Sequence, residues 1–166
     1  GLFRQVGKRF VHDPALEPFQ PLRTLYVDGD GTQWIVGQPG LLRRDESGCV
    51  LVGPRAVWPT HTIVAMTRGP DGALWLGGDG LARCDGREVV APPFAEAFRP
   101  RSVRTIAFAP DGAMWLGCTD GLARVDLATA QVRHWWSGQE LPFGQVRSVL
   151  PEAGERAWIA TYGGGL

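Results

Sequence analysis

The chain has 166 residues, 17 of them basic and 17 acidic, so its formal net charge is zero. This balance argues against a nucleic-acid-binding domain, which normally carries a basic excess, and no apolar run reaches the length of a membrane span. The length is enough for one domain, residues 1–166, with a sizeable core. Because the sequence lacks an initiator methionine, we expect a mature, trimmed or excised piece.

Three short phrases recur along the chain. Gly-Leu-x-Arg opens it at residues 1–4 and returns at 40–43, 80–83 and 121–124, and a last Gly-Leu stands at 165–166. A phrase of the type apolar, usually Arg, small, apolar begins at residues 22, 63, 103 and 146, with Val64 in place of the arginine in the second copy. Asp-Gly-x-x-Trp ends at Trp34, Trp75 and Trp115, and a degraded copy ends at Trp158. The constant spacing of about 40 residues predicts an internal repeat, with units at about 1–40, 41–80, 81–121 and 122–166.

Each repeat is predicted to contain four short strands, A to D. In one complete unit, strand A covers 62–67, strand B 73–77, strand C 81–85 and strand D 88–91. The recurring Asp-Gly pair is typical of a tight hairpin, because such turns need positive φ. Four strands in a period of this length predict an all-β fold, a β-propeller built of four-stranded antiparallel blades. In chain order we expect a C-D half blade, three full blades and an A-B half blade.

The tryptophans have a mechanical interpretation in such a fold. Propeller blades pack face to face, so large rings on strand B would fill the space between neighbours. Trp34, Trp75, Trp115 and Trp158 are therefore predicted to be structural blade-packing residues. The glycine that follows would let the next blade approach closely. Arginine and aspartate stand two residues apart on each strand C, hence on one face, and are predicted to form structural ladders: Arg43 with Asp45, Arg83 with Asp85, and Arg124 with Asp126.

The two half blades leave the closure of the ring open. The terminal A-B pair could complete a sheet with the initial C-D pair, which would remove two exposed strand edges. The same halves could instead pair with a second chain, giving eight blades, or with the rest of a longer propeller. We expect a homo-oligomer or a piece of a larger ring.

No catalytic or metal-binding pattern stands out. The three cysteines, Cys49, Cys84 and Cys118, fit no zinc spacing and are predicted to be small buried hydrophobes, with one disulfide or a reactive thiol as the alternative. The three histidines fall at different places in the repeat, and no known catalytic motif is present. Asp28–Gly31 lacks the spacing of a calcium loop. We therefore predict no catalytic residue, no metal and no cofactor.

The repeat phrases resemble the two-component regulator propeller repeat. The match is carried by residues 70–77 with 80–85, and by 141–149 with 158–166, and it extends over essentially the whole chain. The resemblance implies the extracytoplasmic, periplasmic input domain of a bacterial receptor, followed in such proteins by a further β domain, a membrane helix and a kinase or cyclase. Ligands known for the family are often oligosaccharide fragments.

Candidate ligand contacts come from the loops between strands D and A and from the start of strand A. Aromatic rings there could stack on a sugar, and strand A arginines could face a central channel and offer hydrogen-bond donors. The candidates are Trp58, His61, Phe94, Arg104, Trp136, Phe143 and Arg147. The alternative is that the rings merely anchor the loops and that the arginines serve inter-blade structure.

We predict a non-enzymatic sensor or interaction propeller that binds a small molecule such as an oligosaccharide, with no nucleic acid and no membrane contact by this segment. One alternative is a propeller lyase or hydrolase of the streptogramin-lyase type, which would need a metal and a His/Glu cluster. Another is a purely structural repeat module, excised or engineered, without a ligand.

Overall fold

A computed structural model describes residues 1–54, 62–95, 102–142 and 144–163. The chain divides into two units, Gly1–Val57 and Trp58–Leu166, and each is described by itself. Among the described residues, β-strands and one short 3-10 helix make up the regular structure. The all-β class predicted from the repeat is confirmed.

The first unit contains two antiparallel sheets. The first sheet pairs β1 (Leu2–Val6) with β2 (Arg9–Asp13). The second has four strands in chain order, namely β3 (Thr24–Val27), β4 (Gln33–Gly37), β5 (Gly40–Asp45) and β6 (Gly48–Pro54). Its core is a small apolar cluster around Leu16, Ile35 and Leu42.

A 3-10 helix, Pro14–Phe19, connects β2 to β3 and was not predicted from the sequence. The carboxylate of Asp13 accepts a hydrogen bond from the backbone N–H of Ala15, so this aspartate caps the helix. Proline in the first turn fits there because that position has no intrahelical partner for an N–H group. The helix brings Leu16 into the core, where it is fully buried.

The second unit contains three antiparallel sheets. The third sheet holds β7 (Ile63–Arg68), β8 (Leu74–Gly78), β9 (Leu81–Cys84) and β10 (Val89–Val90). The fourth holds β11 (Val103–Phe108), β12 (Met114–Cys118), β13 (Gly121–Asp126) and β14 (Gln131–Trp136). The fifth pairs β15 (Gln145–Pro151) with β16 (Ala157–Tyr162). The predicted four-stranded antiparallel sheets are thus confirmed, whereas ring closure is not seen, since β1–β2 and β15–β16 remain separate two-stranded sheets.

The Asp-Gly turns join the first two strands of each four-stranded sheet. Gly31, Gly72 and Gly112 have φ of 87°, 74° and 85°, the left-handed region that glycine adopts without strain. The aspartate before each glycine accepts a hydrogen bond from the backbone two residues further on, as Asp71 does from Ala73. This Asx turn explains why the pair recurs.

Neighbouring sheets of the second unit pack through the repeated tryptophans. Trp75 on β8 belongs to an apolar cluster with Val103 and Ile106 of the following sheet. Trp115 on β12 lies in the corresponding cluster with Val146 and Val149 of the fifth sheet. Both indoles are only 2% exposed, so each fills the space between two sheets.

Glycine after the tryptophan allows the close approach. A Cβ atom at Gly77 would lie 2.7 Å from Cγ1 of Val103, and one at Gly117 would lie 2.8 Å from Cγ1 of Val146. Both distances are shorter than real carbon–carbon contacts. The backbone of β8 and of β12 therefore touches side chains of the following sheet directly.

The other two tryptophans differ from each other. Trp34 is buried, and its Nε1 donates to Oδ2 of Asp28 at 2.7 Å. Trp158 is 70% exposed, because no further sheet follows the fifth among the described residues. Among the described residues, no sheet lies against Trp158 for it to pack on as predicted.

The arginines of strand C form ion pairs that were only partly predicted. Arg43 contacts Asp45 at 3.2 Å, as expected from their spacing. Arg83 instead contacts Asp71 at 2.9 Å, and Arg124 contacts Asp111 at 3.1 Å. The predicted ladders of the third and fourth sheets are replaced because the turn aspartate lies closer to the guanidinium. These pairs tie the Asp-Gly turn to strand C.

Candidate functional site

The candidate site begins with irregularities in the first strand of each sheet of the second unit. The register shifts between Ile63 and Ala65 in β7, between Val103 and Thr105 in β11, and between Val146 and Ser148 in β15. A β-bulge leaves its extra residue out of the ladder and redirects that side chain. The extra residues are Val64, Arg104 and Arg147, so two of the predicted candidate arginines occupy bulges.

One end of the fourth sheet carries three features: the bulge of its first strand, the turn between its second and third strands, and the end of its last strand. Val103 pairs with Cys118, and Gly121 pairs with Trp136. The backbone N–H of Ser137 donates to the carbonyl of Asp120 at 2.9 Å. Arg104 and Trp136 are therefore carried at the same end of this sheet. Nε of Arg104 is buried without a hydrogen-bond partner.

Trp136 is positioned by two contacts that the sequence analysis did not single out. Its ring stacks on the imidazole of His134, with centroids 4.8 Å apart and planes 5° from parallel. Its backbone N–H donates to Oε2 of Glu140 at 2.9 Å. The ring is 37% exposed, so it offers a fixed, partly open aromatic surface. Burial lowers the pKa of His134, with partial opposition from the charge of Asp120, so this imidazole is neutral near pH 7.

Arg147 lies at the same end of the neighbouring fifth sheet. Its guanidinium carbon is 5.4 Å from the ring centre of Tyr162, a cation–π distance. The tyrosine ring orients the guanidinium without occupying its N–H donors. Arg104, His134, Trp136, Glu140, Arg147 and Tyr162 lie at the same end of the fourth and fifth sheets, with Arg104 and Trp136 on opposite edge strands of the fourth, and are together called the loop-end cluster below.

The remaining predicted contacts are not part of this cluster. Phe94 is buried and stacks on Trp75, with ring centroids 6.1 Å apart and planes 17° from parallel, so its ring belongs to the core in this structure. Trp58, His61 and Phe143 lie outside the described residues. Their predicted roles, like those of the cluster members, stay predictions.

The cluster is a surface rather than a pocket. The cleft that Cys118, Asp120, His134 and Trp136 line has no room for a water molecule as it stands. A larger groove of about 630 Å³ lies at the opposite, Asp-Gly end of the second unit, lined by Asp71, Asp111 and Arg124 among others. Three of its charged groups are engaged in the ion pairs described above, Asp71 with Arg83 and Asp111 with Arg124, and Asp126 accepts hydrogen bonds from the backbone N–H groups of Ala128 and Thr129. The charged side chains that line that groove therefore already have partners.

The described part of the chain contains no group of side chains arranged to bind a metal ion. In residues 1–54, 62–95, 102–142 and 144–163, no three His, Cys, Asp or Glu side chains are placed to hold a metal ion. All three cysteines are free thiols; Cys84 and Cys118 are buried and Cys49 is half-buried. Burial raises the pKa of the Cys118 thiol far above its usual range, which leaves it protonated and unreactive. The lyase alternative gains no support from these residues.

Comparison with known proteins gives matches in structure alone. No family model and no curated protein matches the chain. Within the described residues, no helix has the length and apolar character needed to cross a membrane.

Two similar solved structures come from B. thetaiotaomicron. The extracellular domain of the hybrid two-component system BT3049 matches with a TM-score of 0.66 and 18% identity, over 83% of this chain and 20% of that one. The extracellular domain of the hybrid two-component system BT4673 matches with a TM-score of 0.67 and 19% identity, over 88% of this chain and 20% of that one. The chain thus spans about a fifth of the length of these structures.

A third similar structure is PorZ of Porphyromonas gingivalis, a surface component of the type-IX secretion system. Its TM-score is 0.64 and its identity 14%, over 93% of this chain and 26% of that one. At such identities the likeness is one of fold. The predicted resemblance to extracellular propellers of hybrid two-component systems is confirmed by these neighbours, and the chain shares its fold with part of those domains.

Proposed function

We propose that this chain is part of the extracytoplasmic input domain of a bacterial signal-transduction receptor. The observation that carries the proposal is the structural match to extracellular domains of two hybrid two-component systems, which extends over 83% and 88% of this chain. The repeat phrases, which resemble the same family, support it independently. The proposal places the module outside the cytoplasm and gives it no catalytic role.

In this proposal the loop-end cluster is the ligand surface. The exposed face of Trp136 can stack on the apolar face of a sugar ring, as aromatic rings do for flat ligands with an apolar side. Arg147 can donate several hydrogen bonds to hydroxyl or acidic groups of the same ligand. Both features suit a polyhydroxylated ligand such as an oligosaccharide.

A thermal-shift screen of neutral and acidic oligosaccharides tests the proposal. A ligand that binds only the folded chain stabilises it by about 2.7 kcal/mol at a concentration one hundred times its dissociation constant. We expect at least one compound to raise the melting temperature. Isothermal titration calorimetry would then give its affinity.

Variants connect such binding to the cluster. Trp136→Ala and Arg147→Ala are each expected to weaken binding at least tenfold, because each removes one face of the contact. Val90→Ala is the control, since Val90 is an exposed apolar residue of the same unit outside the cluster. Full retention of the shift in Trp136→Ala and Arg147→Ala would place the ligand elsewhere and refute the cluster assignment.

A further inference from the structure

The last strand of the fourth sheet carries a pair of stacked rings. His134 and Trp136 stand two residues apart on β14 and therefore share one face. On the neighbouring strand β13, Ala123 lies opposite His134 and Gly121 lies opposite Trp136. Because a methyl group and a hydrogen atom fill little space, the two rings rest on each other, with centroids 4.8 Å apart and planes 5° from parallel. The imidazole thus sets the orientation of the indole.

This pair belongs to a sheet with a neighbour on each side. Trp75 of the third sheet packs on Val103 of the fourth, and Trp115 of the fourth packs on Val146 of the fifth. All three sheets lie in the second unit. The stack is therefore a feature of the interior of the repeat array.

The imidazole lines a narrow cleft. Cys118, Asp120, Leu122 and Trp136 line it together with His134, and the cleft has no room for a water molecule. A charged imidazole there would exchange water for this lining, and burying a charge without hydration is costly. Burial therefore lowers the pKa of His134 below its usual 6.5, and the charge of Asp120, in the turn between β12 and β13, opposes only part of this shift.

Two other ionisable groups beside the pair keep the same charge at neutral and at mildly acidic pH. Oε2 of Glu140 accepts a hydrogen bond from the backbone N–H of Trp136, and this bond holds the pKa of Glu140 below its usual range, so the carboxylate stays ionised. Burial raises the pKa of the Cys118 thiol, which stays protonated. Of these three groups, only His134 changes charge as a neutral solution is acidified.

The direction of the effect follows from proton linkage. The stacked arrangement holds a proton on His134 less tightly than a hydrated imidazole does, since burial opposes the charge. The contribution of the stack to stability is therefore complete above the usual pKa of 6.5 and is lost as the pH falls through the lower pKa of the folded chain. Acid thus favours arrangements in which the imidazole leaves the cleft for water, and the indole then loses its support.

We propose that His134 is a positioning residue: the neutral imidazole holds the indole of Trp136 in place, and the protonated imidazole releases it. The ring of Trp136 is 37% exposed, so its open face changes orientation when the stack opens. The loop-end cluster then offers an ordered aromatic surface at neutral pH and a disordered one in acid. This consequence for ligand binding rests on the proposed function, whereas the coupling between the two rings does not.

Nuclear magnetic resonance of the chain labelled with fluorotryptophan tests the coupling without any ligand. The fluorine resonance of Trp136 is assigned by its loss in Trp136→Phe, and the Cε1–H resonance of His134 by its loss in His134→Gln. We expect both resonances to change with one common midpoint below pH 6.5 as the solution is acidified. Asp120→Asn should lower that midpoint further, because the imidazolium loses a nearby negative charge.

Two variants of His134 separate positioning from a merely structural role. His134→Phe keeps an aromatic ring in the stack but cannot titrate, so the fluorine resonance of Trp136 should stay at its neutral-pH position throughout. His134→Gln removes the ring, so that resonance should lie away from this position at every pH. His12→Gln is the control, because it removes an imidazole of the first unit, and Trp136 should then titrate as in the wild-type chain.

Three results would overturn the proposal. The first is a fluorine resonance of Trp136 that does not follow the titration of His134, and the second is one that still titrates with the same midpoint in His134→Phe. The third is a midpoint for His134 at or above pH 6.5. A failed ligand screen would refute the proposed function and leave this coupling in place, because no ligand enters the measurement.

Discussion

Replacing Trp75 by alanine is the most direct test of how the sheets are held together. The indole is 2% exposed, stacks on Phe94 with centroids 6.1 Å apart, and meets Phe108 at 6.4 Å. Burying a large aromatic side chain removes about 150–250 Å² from water, which is worth about 4–6 kcal/mol at about 25 cal/mol per Å². The retained Cβ and partial collapse of the cavity reduce this, so Trp75→Ala should cost about 3–5 kcal/mol.

Urea unfolding, monitored by circular dichroism, measures this loss of unfolding free energy. The matched control is Trp158→Ala, because this indole is 70% exposed. It should cost less than about 1 kcal/mol, because an exposed side chain loses little on truncation. A loss below about 1 kcal/mol for Trp75→Ala would contradict its place between two sheets.

Three further predictions concern packing, acid stability and thiol reactivity. Gly117→Ala should lower the free energy of unfolding by about 1–3 kcal/mol in urea titrations, since the added Cβ would overlap the following sheet. Gly29→Ala is the control: a Cβ at Gly29 would have no atom within 4 Å, so the same free energy should change by less than about 0.5 kcal/mol. Burial raises the pKa of Asp71, but hydrogen bonds from Arg83 and from the turn outweigh burial and hold the pKa below 3.8. The ionised carboxylate therefore stabilises the fold above about pH 3.8, and this stabilisation is lost as the pH falls further. Asp71→Asn should accordingly reduce the loss of stability at acid pH in a plot of unfolding free energy against pH. With a thiol reagent, half-buried Cys49 should react first, and buried Cys118 should react only when the chain unfolds. Equal labelling rates for the two thiols in the native state would contradict the burial described.

The repeat made most of the fold predictable. Strand boundaries, Asp-Gly turns and the burial of Trp75 follow from local patterns with a fixed period, because each sheet is a nearly independent copy. The stack of His134 on Trp136 could also have been predicted, since residues two apart on a strand share a face. The 3-10 helix at 14–19 carried only a weak signal, an aspartate followed by proline.

Other features depend on information that the local pattern lacks. The pairing of Arg83 with Asp71 crosses a turn, so spacing along strand C alone favoured the wrong carboxylate. The exposure of Trp158 depends on which surface lies beyond the fifth sheet, which no local phrase encodes. The displacement of Arg104 and Arg147 out of the ladder is a one-residue shift in pairing, and a bulged strand and a regular strand can share the same apolar pattern.

The bulge at the start of each first strand in the second unit has an evolutionary consequence. Its extra residue takes no part in the alternation that assigns neighbouring side chains to the core, so its chemistry is free of the packing requirements on either side. Val64 in one sheet and arginine in the next two show that such a site accepts unlike side chains within one molecule. Side chains at these positions can therefore change by single substitutions while the scaffold stays unchanged.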